Sequence, residues 1–377
     1  MKKKNKKKIC IISTSRADYD LLKHLIKLSF KSLKLKTYFI VTGSHLEKKS
    51  LSIKNIIKDN LKILKKINIK LNSDNNLKIA KSMSISHNKF AKIFLKIKPD
   101  FVVLLGDRIE ILPIAYSCFL QNIKIIHFNG GESTSGILDD DVRNAVSMLS
   151  SYHFVSHNVY KKKIIKMGKK SKNIFNVGSL SVDNCKKSIL LSKNKIEKKF
   201  GFKFRLNNYL VTYHPNNLNK ILNIKGLKDM LEAIKTFFSK DSLFIFTGGN
   251  IDPMGYNNLK IIKKFVKTNY KNCVFIENFG GKYYMSVLNH AKCLIGNSSS
   301  GILEAPSFKK PVINIGSRQG GRIKAKNIID VDGSKLRIIN EIKKSISLKF
   351  KRKIKNLKNP FDQGLASQNA IKIIEKL

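Results

Sequence analysis

Short apolar runs alternate with stretches of helical spacing along almost the whole chain, and after one break the alternation starts again. In the first half the runs are Lys8–Ile12, Lys36–Val41, Phe101–Leu105, Ile123–Phe128, Tyr152–Val155 and Ile174–Val177. Between them Tyr19–Leu33, Asn76–Ile97, Ile109–Leu120, Asp139–Leu149 and Asn158–Met167 repeat apolar residues at the period of a helix. Strand, helix and strand in this order build βαβ units, so the sheet is expected to be parallel with helices on both faces.

The segment from Cys185 to Leu206 is lysine-rich and helix-prone, and then the pattern resumes. Strands are expected at Tyr209–Tyr213, Leu243–Phe246, Cys273–Ile276, Cys293–Ile295, Val312–Ile315 and Ile328–Val331. Helices fit Lys225–Phe238, Asn257–Lys267, Tyr283–Ala291 and Gly301–Ser307. At 377 residues the chain is longer than the roughly 250–300 at which a single core stops growing. The expected fold class is therefore α/β: two Rossmann-like doubly wound domains facing a cleft. Residues 1–185 and 186–358 form the domains, and 359–377 a last helix that packs back on the first.

A net charge of +49 suggests nucleic acid or an anionic membrane. The lysines, however, are spread along the chain among abundant Asn and Ile, which marks a compositional bias and not a binding patch. Neither nucleic acid nor membrane is expected as a partner, and Met1–Lys8 is followed by too short an apolar run for a signal peptide or a span. Five cysteines without a C-x-x-C pair read as buried thiols of a cytoplasmic protein, not disulfides or metal ligands. Against 66 lysines there are eight arginines, and five of them (Arg16, Arg108, Arg143, Arg318 and Arg322) sit in loop motifs. Arginine offers a planar fork for phosphate or carboxylate that lysine lacks.

Those motifs follow expected strands, and in an open α/β sheet ligands bind at the carboxyl ends. Ser13-Thr14-Ser15-Arg16-Ala17-Asp18-Tyr19 follows the first strand; it suits an anion at a helix start, and equally an ordinary capped turn. Gly106-Asp107-Arg108 ends an apolar strand where an ionised Asp needs a partner, unless Asp107 only caps the next helix. Asn129-Gly130-Gly131-Glu132 follows the next strand, and Asp139-Asp140-Asp141 opens a helix with Arg143 one turn in. Carboxylates converging on one pocket can take different protonation states and divide acid and base duties. His214 ends the first strand of the second domain. Gly296-Asn297-Ser298-Ser299-Ser300-Gly301-Ile302-Leu303-Glu304 is a phosphate-cradle candidate, and Gly316-Ser317-Arg318-Gln319-Gly320-Gly321-Arg322 adds two guanidinium groups. No G-x-G-x-x-G is present, so a dinucleotide cofactor is not expected.

Taken in order, these motifs resemble the hydrolysing UDP-N-acetylglucosamine 2-epimerases, the first enzymes of bacterial sialic-acid pathways and the epimerase half of the bifunctional animal enzyme. The resemblance covers nearly the whole chain. It implies a glycosyltransferase-B type fold with a nucleotide sugar between the domains, no cofactor or metal, and a homodimer. It also implies removal of the C2 proton with expulsion of the nucleoside diphosphate, giving a 2-acetamidoglycal. Water then adds at C1 and a proton returns to the opposite face of C2, releasing free N-acetylmannosamine. Asp107, Glu132 and Asp139 are the implied acid–base residues, with His214 assisting. Arg16, Ser298, Ser299, Gly301 and Arg318 would hold the diphosphate, and Glu304 the ribose. Arg108, Arg143 and Arg322 complete the substrate-binding set, with Asn250 and Asp252 in another substrate-facing loop. Some relatives carry a catalytic Glu where this chain has Asn129, which passes that role to Glu132 or to Asp107 and Asp139. The same reaction on a 2,4-diacetamido-2,4,6-trideoxy sugar, with UDP or GDP, is the close alternative; a basic nucleic-acid-binding protein is the distant one.

Overall fold

Strands buried on both faces need no polar alternation, and the apolar runs of this chain assemble accordingly. The computed structural model describes residues 6–47, 52–71, 75–133, 139–215, 220–248 and 255–377. They form two compact units. One holds residues up to Glu132, 139–183 and Phe361–Leu377; the other holds Asn184–Pro360.

The first unit carries a seven-stranded sheet of β1 (Lys7–Ser13), β2 (Leu35–Thr42), β3 (Lys65–Ile67), β4 (Phe101–Leu105), β5 (Lys124–Phe128), β6 (Tyr152–Val155) and β7 (Ile174–Asn176). Its spatial order is β3-β2-β1-β4-β5-β6-β7, with every pairing parallel. Successive side chains of β1 feed opposite layers: Ile9 and Ile11 join one core with Leu22, Leu25 and Ile26, while Cys10 and Ile12 join the other with Phe90 and Phe94. The helix Ala366–Ile374 packs on the helix Arg16–Lys31. Buried Asp183 fixes its start, accepting from the backbone N–H of Ala366 (2.7 Å) and Ser367 (2.9 Å).

The second unit has six strands, β8 (Asn207–Thr212), β9 (Ser242–Thr247), β10 (Cys273–Ile276), β11 (Cys293–Gly296), β12 (Val312–Ile315) and β13 (Ile328–Val331), in the order β10-β9-β8-β11-β12-β13. All are parallel. Both sheets are doubly wound. In each, the strand order reverses direction at one place, between β1 and β4 and between β8 and β11, and such a switch point leaves a crevice at the carboxyl ends.

Two local expectations change. The helix expected over Ile109–Leu120 is a 3-10 turn, Ile109–Ile111, followed by a helix over Leu112–Leu120. Pro113 lacks an N–H and is tolerated only in the first turn, so the α-helix begins beside it. The strand β3 and the helix Ser52–Lys58 carry too little apolar sequence to announce themselves; β3 is an edge strand with two exposed lysines.

Candidate active site

At the end of β1 the chain turns directly into the helix Arg16–Lys31. Ser15 caps it by accepting the N–H of Asp18, and Asp18 returns to accept from the backbone N–H and the hydroxyl of Thr14. This leaves Arg16 exposed at the mouth of the turn. Beneath it, His45 is buried with Nε2 2.8 Å from the Ser13 hydroxyl and Nδ1 2.8 Å from that of Ser52. Burial, with Arg108 adding to it, pushes this imidazole down to about 4.

Across the switch point Asp107 follows β4. It does not cap the next turn: its carboxylate accepts from Arg143, which also donates to Asp140 and, at 2.8 Å, to the backbone carbonyl of Glu132. Arg143 is 1 % exposed and Asp107 27 %. A permanently charged fork under the strand ends pairs with the carboxylate and orients it. The neighbouring Arg108 takes a different partner, donating through two nitrogens to Glu110, which is 2 % exposed.

The β5 end is set by backbone geometry. Asn129 adopts φ +62° and Gly131 φ +76°; a Cβ on Gly131 would lie 2.7 Å from the Tyr160 carbonyl, so only glycine fits. The turn delivers Glu132 into a buried position, 3 % exposed, where it accepts from the Ser156 hydroxyl at 2.9 Å. Asp139 begins the helix Asp139–Leu149 on the far side of the same loop. His127, fully buried in β5, ties the end of β4 to the helix Asp139–Leu149. Its Nε2 lies 2.8 Å from the Gly106 carbonyl, which can only accept, so Nε2 carries the proton and Nδ1 accepts from Ser147 at 3.0 Å. Burial pushes His127 down to about 4. A neutral ring thus pins the turn that presents Asp107.

In the second unit the two strands of the switch point are locked together. The Asn297 side chain accepts the His214 N–H at 2.7 Å and donates to the His214 carbonyl at 2.9 Å. Gly296 has φ +133°, and a Cβ there would stand 1.9 Å from the Thr212 carbonyl oxygen. Burial, reinforced by Arg318, pushes His214 down to about 3, so its imidazole is neutral. Ser298 caps the turn Ser299–Leu303, accepting from the Ser300 N–H and keeping its own proton to donate. Gly301 lets that turn approach β12, since a Cβ would meet Val312 at 2.8 Å. Arg318 and Gln319 both donate to the Asn297 carbonyl, at 3.3 and 2.9 Å, and Arg322 donates to Gln319 at 3.1 Å. Half-buried Glu304 ends the turn, and its charge, after burial, raises both the Cys185 thiol and the Tyr284 phenol.

The first unit therefore gathers Arg16, Asp107, Arg108, Glu132, Asp139 and Arg143 at its strand ends, and the second gathers His214, Ser298, Ser299, Gly301, Glu304, Arg318 and Arg322. Asn250 and Asp252 lie outside the described residues. Three supporting residues escape motif reading: Glu110, Ser156 and, in its clamping role, Asn297. Ser156 directly follows β6, so the strand-end rule applied once more would have found it. Among the described residues no cluster of His, Cys, Asp and Glu is placed to hold a metal, and no helix is long and apolar enough to cross a membrane.

The model of the family described as UDP-N-acetylglucosamine 2-epimerase matches residues 29–375. The chain is 41% identical over 327 residues, 86% of its length and 84% of the relative's, to the GDP/UDP-N,N'-diacetylbacillosamine 2-epimerase (hydrolyzing) of Campylobacter jejuni. It is 34% identical to the polysialic acid biosynthesis protein P7 of Escherichia coli, over 98% of this chain and 94% of that one. Among solved structures, UDP-GlcNAc 2-epimerase from Neisseria meningitidis, bound to UDP-GlcNAc, superimposes with a TM-score of 0.83 at 19% identity, covering 98% of this chain and 100% of the other.

Proposed function

Because the chain belongs to the UDP-N-acetylglucosamine 2-epimerase family, we propose that this UDP-sugar 2-epimerase is a hydrolysing one, releasing UDP and a free manno-configured 2-acetamido sugar. The observation that carries the reading is the set of three carboxylates, Asp107, Glu132 and Asp139, at adjoining strand ends with Arg143 beneath them.

Removing a proton from carbon needs a base held in place, and charge leaving with the diphosphate needs donors aimed at it. Glu132, buried and hydrogen-bonded by Ser156, takes the C2 proton in this reading, the role that Asn129 cannot fill. The C1–O bond to the diphosphate breaks as the C1–C2 double bond forms. Arg318, Arg16 and the hydroxyls of Ser298 and Ser299 stabilise the departing diphosphate. His214, being neutral, donates a hydrogen bond to it and does not act as an imidazolium acid. Asp107 or Asp139 then directs water to C1 while a proton returns to the other face of C2. Glu304 holds the ribose hydroxyls.

For the sugar, the 41% relative favours a 2,4-diacetamido-2,4,6-trideoxy sugar, N,N'-diacetylbacillosamine, ahead of N-acetylglucosamine. This reverses the order expected from the motifs alone. The second reading, UDP-N-acetylglucosamine with N-acetylmannosamine as product, draws on the similarity to the polysialic acid protein. Proton NMR in D2O with each UDP-sugar supplied separately tests both. The expected products are free UDP and a manno-configured sugar with deuterium at C2, formed faster from the diacetamido substrate. Nucleotide release without C2 exchange overturns the elimination mechanism, and turnover of neither substrate overturns the reading.

A further inference from the structure

One helix of the first unit departs from the composition of the whole chain. Leu112–Leu120, nine residues, holds no charged side chain, although the chain carries 74 lysines and arginines. One side of it packs into the core through Ile114, Ala115 and Cys118, so the other side of a surface helix is expected to be polar. It is apolar instead: Tyr116 is 47 %, Phe119 55 % and Leu120 55 % exposed.

The neighbouring helices extend this face. Two contacts fix which side of the helix Asn76–Ile97 is turned towards it: the Ser117 hydroxyl lies 2.9 Å from the His87 ring, and the Gln121 amide donates to the Ala91 carbonyl at 3.1 Å. Ser84, Asn88 and exposed Leu95 recur on that side at helical spacing, and no lysine does. Lys81, Lys89, Lys92 and Lys96 keep to a separate stripe. The rings of His87 and Tyr116, 5.3 Å apart, make the surfaces of the two helices continuous. On the other flank the helix Asp139–Leu149, seated in the same core through Val146, adds exposed Met148. Side chains of this size, about half open, leave on the order of 500 Å² of apolar surface. Covered on two copies, that comes to about 1,000 Å² before any polar rim is counted, which is what a specific interface needs.

We propose that this face binds a second copy of the chain, and that the pairing braces the helices next to the reacting carboxylates. A chain charged +49 is repelled by its own copy wherever lysines stand, so two copies meet at least cost through a surface without them. An acidic protein or a nucleic acid would seek the lysines and gain nothing here. Two-fold pairing sets the same apolar patch against itself, so each side chain meets a surface of its own kind. Asp139 and Arg143 stand at the start of the helix that carries Met148, and Asp107 shortly precedes the one that carries Phe119. The bracing rests on those carboxylates reacting as proposed above; the pairing stands without it.

Sedimentation velocity on the full-length protein, across micromolar concentrations at low and high salt, tests the pairing. The expected result is a dimer that tightens with salt, since screening removes the repulsion between copies, whereas an interface of ion pairs would loosen. Phe119→Lys enters a two-fold interface twice and should weaken association about a hundredfold or more. Met148→Lys, half-exposed on a different helix, repeats the test with an independent risk to folding, and circular dichroism checks both variants. A wild-type monomer, a dimer that loosens with salt, or a dimer that persists in both variants overturns the face. Monomeric variants are expected to turn over the UDP-sugar with a kcat about tenfold lower and KM unchanged; an undiminished kcat overturns the bracing. If the wild-type protein turned over neither sugar, the proposed reaction would fall, and sedimentation would still decide the face.

Discussion

Arg143 and Asp107, 36 positions apart, are joined by a charge-assisted hydrogen bond in which the cation is 1 % exposed and the carboxylate 27 %. The buried partner fixes the exposed one. Removing the cation by Arg143→Met would leave Asp107 and Asp140 facing a buried apolar group, at a cost of roughly 3–5 kcal/mol for a broken buried pair. Arg143→Lys keeps the charge but cannot reach Asp107, Asp140 and the Glu132 carbonyl together. Its expected phenotype is a kcat about a hundredfold lower with a fold that survives. Denaturant unfolding and steady-state kinetics on the two variants separate these effects, and wild-type kcat for Arg143→Lys would contradict the positioning argument.

Glu132→Gln keeps the shape and the Ser156 contact but removes the base proposed above. C2 deuterium incorporation should vanish while substrate still binds. Ser156→Ala, which removes only one hydrogen bond to the carboxylate, should slow exchange about tenfold at unchanged KM. If Glu132→Gln still exchanges, the base is Asp107 or Asp139, and the same assay on Asp107→Asn and Asp139→Asn identifies which.

Much of this arrangement is legible in the amino-acid sequence. The strand ends that carry Asp107, Glu132, His214 and Ser298 follow from apolar runs that stop abruptly at polar residues, because a parallel sheet buries its strands and frees only their ends. What a sequence does not show is direction. By motif alone the partner of Asp107 stays open, a helix cap being one reading, and Arg143 reads as a substrate ligand, since both depend on where a side chain points. The fold turns Arg143 inward, onto Asp107, Asp140 and the Glu132 carbonyl. Glu110 is hidden for the same reason: a Glu in a loop two residues past Arg108 looks solvated, but the turn Ile109–Ile111 buries it.

Asn297 ties the ends of β8 and β11 through both halves of its amide. Asn297→Asp retains the acceptor for the His214 N–H but loses the donor to the His214 carbonyl. A drop of about 1 kcal/mol in stability is expected, together with a higher KM for the nucleotide sugar and little change in kcat. Gly296→Ala is far harsher: its methyl would sit 1.9 Å from a backbone oxygen, so the second unit should fail to fold. Circular dichroism and thermal melting check both, and a fully folded Gly296→Ala protein would refute the close packing of β8 on β11.

Acid should destabilise this protein earlier than its carboxylates alone would. His45, His127 and His153 are buried and held neutral, pushed from the ordinary 6.5 to about 4, 4 and 3. Unfolded, each would bind a proton near pH 6.5; folded, it resists until well below pH 5. Between these limits the unfolded chain binds more protons, so stability rises with pH and is lost as pH falls through the window. By pH 5 each such histidine contributes a loss of about 2 kcal/mol. Asp20 works the other way, since burial raises its carboxyl to about 6 and the folded state there gains protons first. Three histidines outweigh one aspartate, and most carboxylates titrate below this range. Denaturant midpoints should therefore fall steadily from pH 7 to pH 5, and His127→Gln should flatten part of that slope while lowering stability at pH 7. A midpoint constant over this range would mean that the rings take up protons without opening the fold.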